Sequence, residues 1–165
     1  MVFDMKKSLL ILALLFIAVT SAPESFAQNA GYSAYCVAVI DGDTIKVKTK
    51  GTEQKIRLYG IDCPELDQPF GSQAKNKTKK LIQNKRVKIQ VLDKDRYGRL
   101  VALVSTKTFI LQEELLKSGL AVVYPMFCKM PICSKWQQLE EQAKEQKKGI
   151  WKSKHTAFPW EWRKK

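Results

Sequence analysis

YSAYCVAVIDGDTIKVKTKGTEQKIRLYG, residues 32–60, decides the fold. Apolar and β-branched residues run through 33–40 and again through 44–50, and Asp41-Gly42-Asp43 between them is a tight strand-turn-strand signal. After Lys50-Gly51 a third run, 54–59, completes a three-stranded meander. The same stretch places Asp41 and Asp43 on its first turn and Arg57 on its third strand.

Outward from the meander, residues 64–71 read as a loop. Residues 72–84 are polar, with Ala74, Leu81 and Ile82 spaced for one helical face. Two more strands, 86–92 and 100–104, flank the turn DKDRYGR. Helices follow over 110–118, stopped by Gly119, and over 135–148, stopped by Gly149. Five short strands with a helix between the third and fourth suit a small closed barrel better than a sandwich. The expected class is α+β, a five-stranded Greek-key barrel of the OB type with three helices. The lysine-rich stretch 144–154 reads as a solvated helix end and loop, well placed near a helix C-terminus.

At the start of the chain Lys6 and Lys7 precede an apolar run over 9–19, followed by Pro23 and Ser25-Phe26-Ala27. That order is the grammar of a cleavable signal peptide, here residues 1–27, and the run is shorter than the ~20 apolar residues a spanning helix needs. Met5 makes a cleaner start for such a leader than Met1, because Asp4 sits oddly in a basic region. Cleavage leaves 28–165 as one domain with a short basic, tryptophan-rich tail from about 152. The expectation is a secreted or periplasmic monomer without stable membrane insertion.

Removing Asp4, Lys6, Lys7 and Glu24 leaves the net charge at +13. A chain of this length buries about two-thirds of its unfolded surface, so the charge is not a sign of disorder. It reads as attraction to a polyanion, which nucleic acid, anionic lipid and wall polymer all satisfy.

Four cysteines, at 36, 63, 128 and 133, allow three pairings in a compartment that permits disulfides. Cys128 and Cys133 lie close together beside Pro125 and Pro131, and a local bridge is expected there. Cys36 and Cys63 are expected as reduced, buried small hydrophobes. A structural zinc site lacks ligands, since the chain has one C-x4-C pair and one histidine. That histidine, His155, lies beside Lys154 and Thr156 near the C-terminus and is expected to be an exposed tail residue. Two-histidine acid/base and histidine-nucleophile phosphodiesterase mechanisms are excluded by the count.

Three stretches concentrate acids and arginines: IDGDT at 40–44, IRLYGIDCPE at 56–65 and DRYGR at 95–99. Carboxylates and carbonyls hold hard cations that polarise phosphate. Guanidinium groups grip two phosphate oxygens at once and stay charged at every working pH. A further carboxylate can orient or deprotonate water. The combination points to metal-assisted phosphodiester cleavage.

In order and spacing these stretches, with GLAVV at 119–123 and GIW at 149–151, resemble the thermonuclease family of staphylococcal-nuclease-like domains over residues 34–151. The resemblance implies a Ca2+-dependent endonuclease, with Mg2+ the lesser choice, that hydrolyses DNA and RNA to 3′-phosphorylated ends and favours single or locally open strands. It assigns Asp43, Asp62 and the carbonyl of Cys63 to the metal, with Asp41 behind them. It gives Glu65 to the attacking water, Arg57 and Arg99 to the phosphate, and Tyr97 and Arg96 to the bound nucleotide. A guanidinium with a pKa above ~12 is a poor general acid, so Arg99 is read as an electrostatic stabiliser of the leaving oxygen.

Departures from the family pattern are Cys63 in place of a hydroxyl residue, a shorter loop over 66–71, and residues 124–134 in place of a tyrosine-bearing loop. Trp136, Trp151, Trp160 and Trp162 are expected as core and tail anchors rather than a base-stacking platform. The main rival reading, a catalytically silent nucleic-acid-binding barrel, predicts loss of one of Asp43, Arg57, Asp62, Glu65 or Arg99, and all five are present. A membrane-active cationic protein would favour a basic amphipathic helix, whereas Glu140, Glu141 and Glu145 interrupt the last one.

Overall fold

The computed structural model describes residues 31–153 and 157–164; the leader at 1–27 and His155 lie outside the described residues. In chain order the elements are β1 (Tyr32–Val39), β2 (Thr44–Thr49), β3 (Thr52–Leu58), β4 (Ile61–Asp62), α1 (Gly71–Ile82), β5 (Arg86–Lys94), β6 (Leu100–Ser105) and α2 (Leu111–Lys117). β7 (Val122–Val123), α3 (Ile132–Glu145), a 3-10 turn (Gly149–Lys152) and α4 (Pro159–Trp162) complete the described chain.

Five strands close a barrel in the order β1-β2-β3-β6-β5, and β1 seals it by antiparallel pairing with β5. β3 and β6 run parallel, which demands a long crossover, and that crossover carries β4, α1 and β5. The expected five strands and three longer helices are all present. The additions are the two-residue pair β4-β7 and the four-residue α4. α3 starts at Ile132 rather than 135, with Pro131 at its N-cap, a place where proline's missing N–H costs nothing.

The barrel fills by alternation: Ile45 and Val47 on β2, Ile56 and Leu58 on β3, Val87 and Ile89 on β5, and Ala102 and Val104 on β6 all point inward and are buried. β1 breaks the alternation, because Cys36 and Val39 are both buried although three apart. A register shift between Cys36 and Ala38 explains it, since the extra residue of a bulge reverses the phase of the side chains that follow.

Beneath the barrel, α2 and α3 bury Leu111, Leu115, Leu116 and Trp136. Gln112, fully buried, satisfies both ends of its amide, accepting from the Val104 N–H at 3.3 Å and donating to the Ala102 carbonyl at 2.9 Å. Glu140 on α3 accepts from the Val123 N–H at 3.1 Å and so fixes β7 against the helix. Cys128 and Cys133 form a disulfide with Cα atoms 5.7 Å apart, and Cys36 and Cys63 are free and buried. Gly60, at φ 71, turns the chain from β3 into β4 with no room for a side chain, as a Cβ there would stand 2.7 Å from Cys128 Sγ.

Candidate active site

The turn between β1 and β2 is built by its own acids. Asp41 Oδ1 accepts the N–H groups of Asp43 at 3.0 Å and Thr44 at 2.7 Å, closing the turn and aiming Asp43 inward. Gly42 is needed for space rather than for an unusual backbone angle: it is absent from the left-handed residues, but a Cβ there would lie 2.6 Å from Cys63 Cβ and 2.9 Å from Ala74 Cβ. Thr78 on α1 donates its hydroxyl to the Gly42 carbonyl at 2.7 Å. The helix therefore clamps the turn from below.

β3 places Arg57 opposite Thr44, next to Asp43. Its guanidinium forms ion pairs with both Asp43 and Asp62, the latter at 2.6 Å, and donates to the Ile61 carbonyl at 3.3 Å. Asp62 is fully buried and Asp43 nearly so. Carboxylates in that position demand partners, and each has several. Asp43 also accepts the Cys63 N–H at 2.6 Å and the Thr44 hydroxyl at 3.3 Å. Burial pushes the Cys63 thiol well above its ordinary value, so the sulfur stays protonated.

Glu65 leaves β4 on a loop of consecutive turns, with Gln68 N donating to the Glu65 carbonyl at 3.0 Å and Gly71 N to the Gln68 carbonyl at 2.9 Å. Its carboxylate meets a residue that the sequence reading missed. Arg163, just past α4, donates Nη1 to Glu65 Oε1 at 2.5 Å and to Asp62 Oδ1 at 3.2 Å, and Nη2 to Asp62 Oδ2 at 2.7 Å. Partial burial lowers the Arg163 pKa, but its hydrogen bonds to Asp62 and Glu65 and their charges outweigh that, and the net shift is upward. Asp41, Asp43, Arg57, Asp62, Cys63 and Glu65 thus come together.

Arg96, Tyr97 and Arg99 form a second group on the turn between β5 and β6. Arg99 pairs with Asp95 at 2.6 Å, and both guanidinium carbons lie over the Tyr97 ring, Arg96 at 4.9 Å and Arg99 at 5.5 Å. Tyr97 is largely exposed, and its hydroxyl accepts from Arg96 at 2.7 Å. Among the described residues no hydrogen bond or ion pair links the two groups. They are neighbours through the sheet, since Leu100 and Val101 pair with Ile56 and Arg57. Tyr97 also lines a cleft with Glu53, Lys55 and Lys94, and none of Asp41, Asp43, Asp62 and Glu65 is on its walls.

The acidic side chains gathered here, Asp41, Asp43, Asp62 and Glu65, offer oxygen donors, and that suits a hard ion. Four carboxylates, Asp41, Asp43, Asp62 and Glu65, stand against two guanidiniums, leaving a formal surplus of two negative charges that a divalent ion would balance. The side chains are not gathered as ligands, however. Among the described residues no three acidic, cysteine or histidine side chains converge on one point; Arg57 and Arg163 bridge the carboxylates in pairs. By donor type and charge the residues fit a divalent cation, which would compete with those guanidiniums.

The tail is held by more than Arg163. Gln68, buried, donates Nε2 to the Ala157 carbonyl at 2.7 Å, and the Trp160 ring stacks on Tyr124 at 4.9 Å and on Phe158 at 4.7 Å. A signal for this docking exists in the sequence: Phe158, Pro159, Trp160 and Trp162 are too apolar for a freely solvated tail.

A model of the family described as staphylococcal nuclease homologue matches residues 55–153, which include Arg57, Asp62, Glu65 and Arg99. The chain is 41% identical over 110 residues to a probable staphylococcal-like nuclease of Oryza sativa subsp. japonica, a match covering 67% of this chain and 32% of that protein. An uncharacterized endonuclease of Escherichia coli O157:H7 is 33% identical over 128 residues, covering 77% of this chain and 82% of that one. A second uncharacterized endonuclease, from Haemophilus influenzae, is 34% identical over 129 residues, covering 78% and 71%. The chain spans about a third of the length of the plant relatives it matches. With the barrel, the matched segment and these bacterial relatives in agreement, the chain belongs to the staphylococcal nuclease homologue family.

Proposed function

We propose that this protein is an exported nuclease that hydrolyses phosphodiester bonds of DNA and RNA with a divalent cation, Ca2+ ahead of Mg2+, leaving 3′-phosphorylated ends. One observation carries the reading: the Arg57 guanidinium lies between Asp43 and Asp62, and Glu65 stands beside the same Asp62 through Arg163. The relatives named as nucleases and endonucleases support it.

Asp43, Asp62 and the Cys63 carbonyl are the groups that would hold the cation, whose contribution when bound is to polarise the scissile phosphate. Arg57, displaced by the cation from Asp43 and Asp62, would present its planar fork to the phosphate oxygens. Glu65, on its loop, orients the attacking water or takes its proton. Arg99, on the adjoining strand end, stabilises the leaving oxygen by charge. Arg96 and Tyr97 offer a cationic and aromatic surface that suits single or locally open strands.

The test incubates purified protein with DNA and with RNA, in Ca2+ or in EDTA, and identifies the ends by phosphatase-sensitive labelling. Both polymers are cleaved in Ca2+ and neither in EDTA. Glu65→Gln lowers turnover by about 10²–10⁴-fold, the usual contribution of a positioned base, while His155→Ala cleaves like the wild type. Undiminished cleavage in EDTA or by Glu65→Gln sinks the mechanism. Export through the leader is checked by N-terminal sequencing of the processed protein, expected to begin at Gln28.

A further inference from the structure

We propose that the outer wall of the barrel carries a second contact for a single nucleic-acid strand, made by Tyr35 with Lys48 and Arg86 on either side and joined to the catalytic end along α1. The inference extends the nuclease reading above from the cleaved phosphate to the length of strand beside it.

Tyr35 has no task in the fold. Ala34 and Cys36 point into the barrel, so the residue between them points out, and Tyr35 is 45% exposed. Among the described residues its side chain makes no hydrogen bond and no ring contact, and it stands outside the core cluster. Its register partners are Lys48 on β2 and Arg86 on β5, both exposed. Residues opposite one another on neighbouring strands share a face with Cβ atoms ~5 Å apart, so the ring stands between two cations in one row. Ser33 and Lys88, the next pair on that face, widen it. The acid next in register, Glu53 beyond Lys48 on β3, is paired with Lys46 at 3.2 Å.

A cationic track leads from this row to the catalytic end. α1 begins at Gly71, where the Glu65 loop closes, and its Thr78 holds the turn of Asp41 and Asp43 through the Gly42 carbonyl. The other end of the helix is fastened to β1 beside Tyr35: the Asn84 N–H donates to the Cys36 carbonyl at 2.9 Å, and the Cys36 N–H to the Lys85 carbonyl at 3.0 Å. The helix between these two anchors is ~18 Å long. Lys75, Lys79 and Lys80 lie along it, and Lys85 caps it by donating Nζ to the Lys80 and Leu81 carbonyls. No acid occurs between Asp67 and Asp93 in the sequence. Among the described residues none of these four lysines, nor Lys48, Arg86 or Lys88, forms an ion pair with a carboxylate. Favourable placement at a helix C-terminus accounts for Lys79 and Lys80. It does not account for Tyr35, Lys48 and Arg86, which come from three different strands.

The chemistry of the row selects its partner. Unpaired cations attract any polyanion, but an exposed ring among them suits one that has flat faces of its own: a base stacks on Tyr35 while neighbouring phosphates meet Lys48 and Arg86. A duplex keeps its base faces covered, and a membrane needs a broad apolar face where this row offers one ring.

The experiment measures binding by the full chain of a labelled single strand of about 20 nucleotides, longer than the ~4–16 that an OB-type barrel engages, by fluorescence anisotropy in EDTA. Tyr35→Ala raises Kd by about 5–100-fold, the range for one base stacked on one ring, while Tyr35→Phe keeps the ring and most of the affinity. Lys48→Ala with Arg86→Ala flattens the dependence of log affinity on log salt by about 1.4, or ~0.7 for each phosphate released, and reads the same site should Tyr35→Ala disturb the barrel. Lys147→Ala with Lys148→Ala, at the far end of α3, weakens binding less. In Ca2+ the KM of Tyr35→Ala for the same strand rises in parallel with its Kd. Unchanged binding in both Tyr35→Ala and the Lys48/Arg86 variant overturns the inference. So does an equal loss on a blunt duplex, which would leave stacking no part, or a loss confined to phosphatidylglycerol vesicles, which would make the row a lipid contact. A wild type that binds the strand in this way and cleaves nothing in Ca2+ sinks the nuclease reading and leaves the contact standing, whereas a cleaving wild type matched in binding by both sets of variants sinks this inference alone.

Discussion

Two aspartate–arginine pairs in this molecule have the same 2.6 Å separation and different surroundings. Arg57–Asp62 joins β3 to β4 with side chains 17% and 0% exposed, whereas Arg99–Asp95 closes a single turn with side chains 28% and 19% exposed. Distance does not rank them; what each leaves behind does. Without Arg57 the buried Asp43 and Asp62 lose the charge between them, a loss of the kind that costs about 3–5 kcal/mol, while a partly exposed local pair is worth under about 1 kcal/mol. Urea unfolding of Arg57→Ala and Arg99→Ala should show that gap. Ca2+ stabilises each protein that binds it by about 2.7 kcal/mol at a hundred times its Kd, and it should narrow the Arg57→Ala deficit because the variant, with no guanidinium to displace from Asp43 and Asp62, binds the cation more tightly than the wild type does. Equal losses for the two variants would break the comparison.

The glycines of the two turns sharpen it. Gly42, beside Asp43, faces Cys63 and Ala74, so Gly42→Ala should overpack the site and cost about 1–3 kcal/mol. Gly98, beside Arg99, has open space around its Cβ direction but a φ of 79°. There the cost is conformational: Gly98→Val loses about 1–2 kcal/mol and Gly98→Asn less, since asparagine enters the left-handed region more readily. Thermal unfolding of the three variants separates a packing constraint from a backbone one. A Gly42→Ala protein as stable as the wild type would mean that α1 and the turn can move apart.

The same contrast explains what was legible in the sequence. The barrel strands could be read because their apolar and β-branched runs are separated by turn signals, and the reading missed what such runs cannot report: the bulge that puts Cys36 and Val39 on one side, and the two-residue strands β4 and β7, which pairing alone creates. Asp43, Arg57, Asp62 and Glu65 were legible because they lie in short motifs close to one another along the chain. Gly42 was read as a hairpin glycine although its reason is the Cys63 side chain 21 residues on, a contact no local rule contains. Arg163 was hidden by sequence distance and by a basic tail composition that resembles a solvated end. Trp160 was read as a tail anchor, and its stacking on Tyr124 shows what it anchors to.

The smallest expected effect belongs to Asp95. Partial burial raises its carboxyl, but hydrogen bonds from the Arg99 side chain and the N–H groups of Arg99 and Tyr97, with the Arg99 charge, outweigh this and lower it from 3.8. Because the folded value lies below the unfolded one, the stabilisation is complete above the ordinary carboxylate range and is lost as pH falls through the lowered folded value. Asp95→Asn keeps an oxygen for the two N–H groups, each bonded to Oδ1 at 2.9 Å, and removes only the charge facing Arg99. The wild type should therefore exceed Asp95→Asn by under about 1 kcal/mol at neutral pH, with the difference vanishing in acid as urea unfolding is repeated down the pH scale. Equal stability of the two proteins at neutral pH would mean that the backbone hydrogen bonds, which Asp95→Asn keeps, hold this turn without the charge. Arg99 would then be free to follow the phosphate at no cost to the fold, which the buried Arg57 is not.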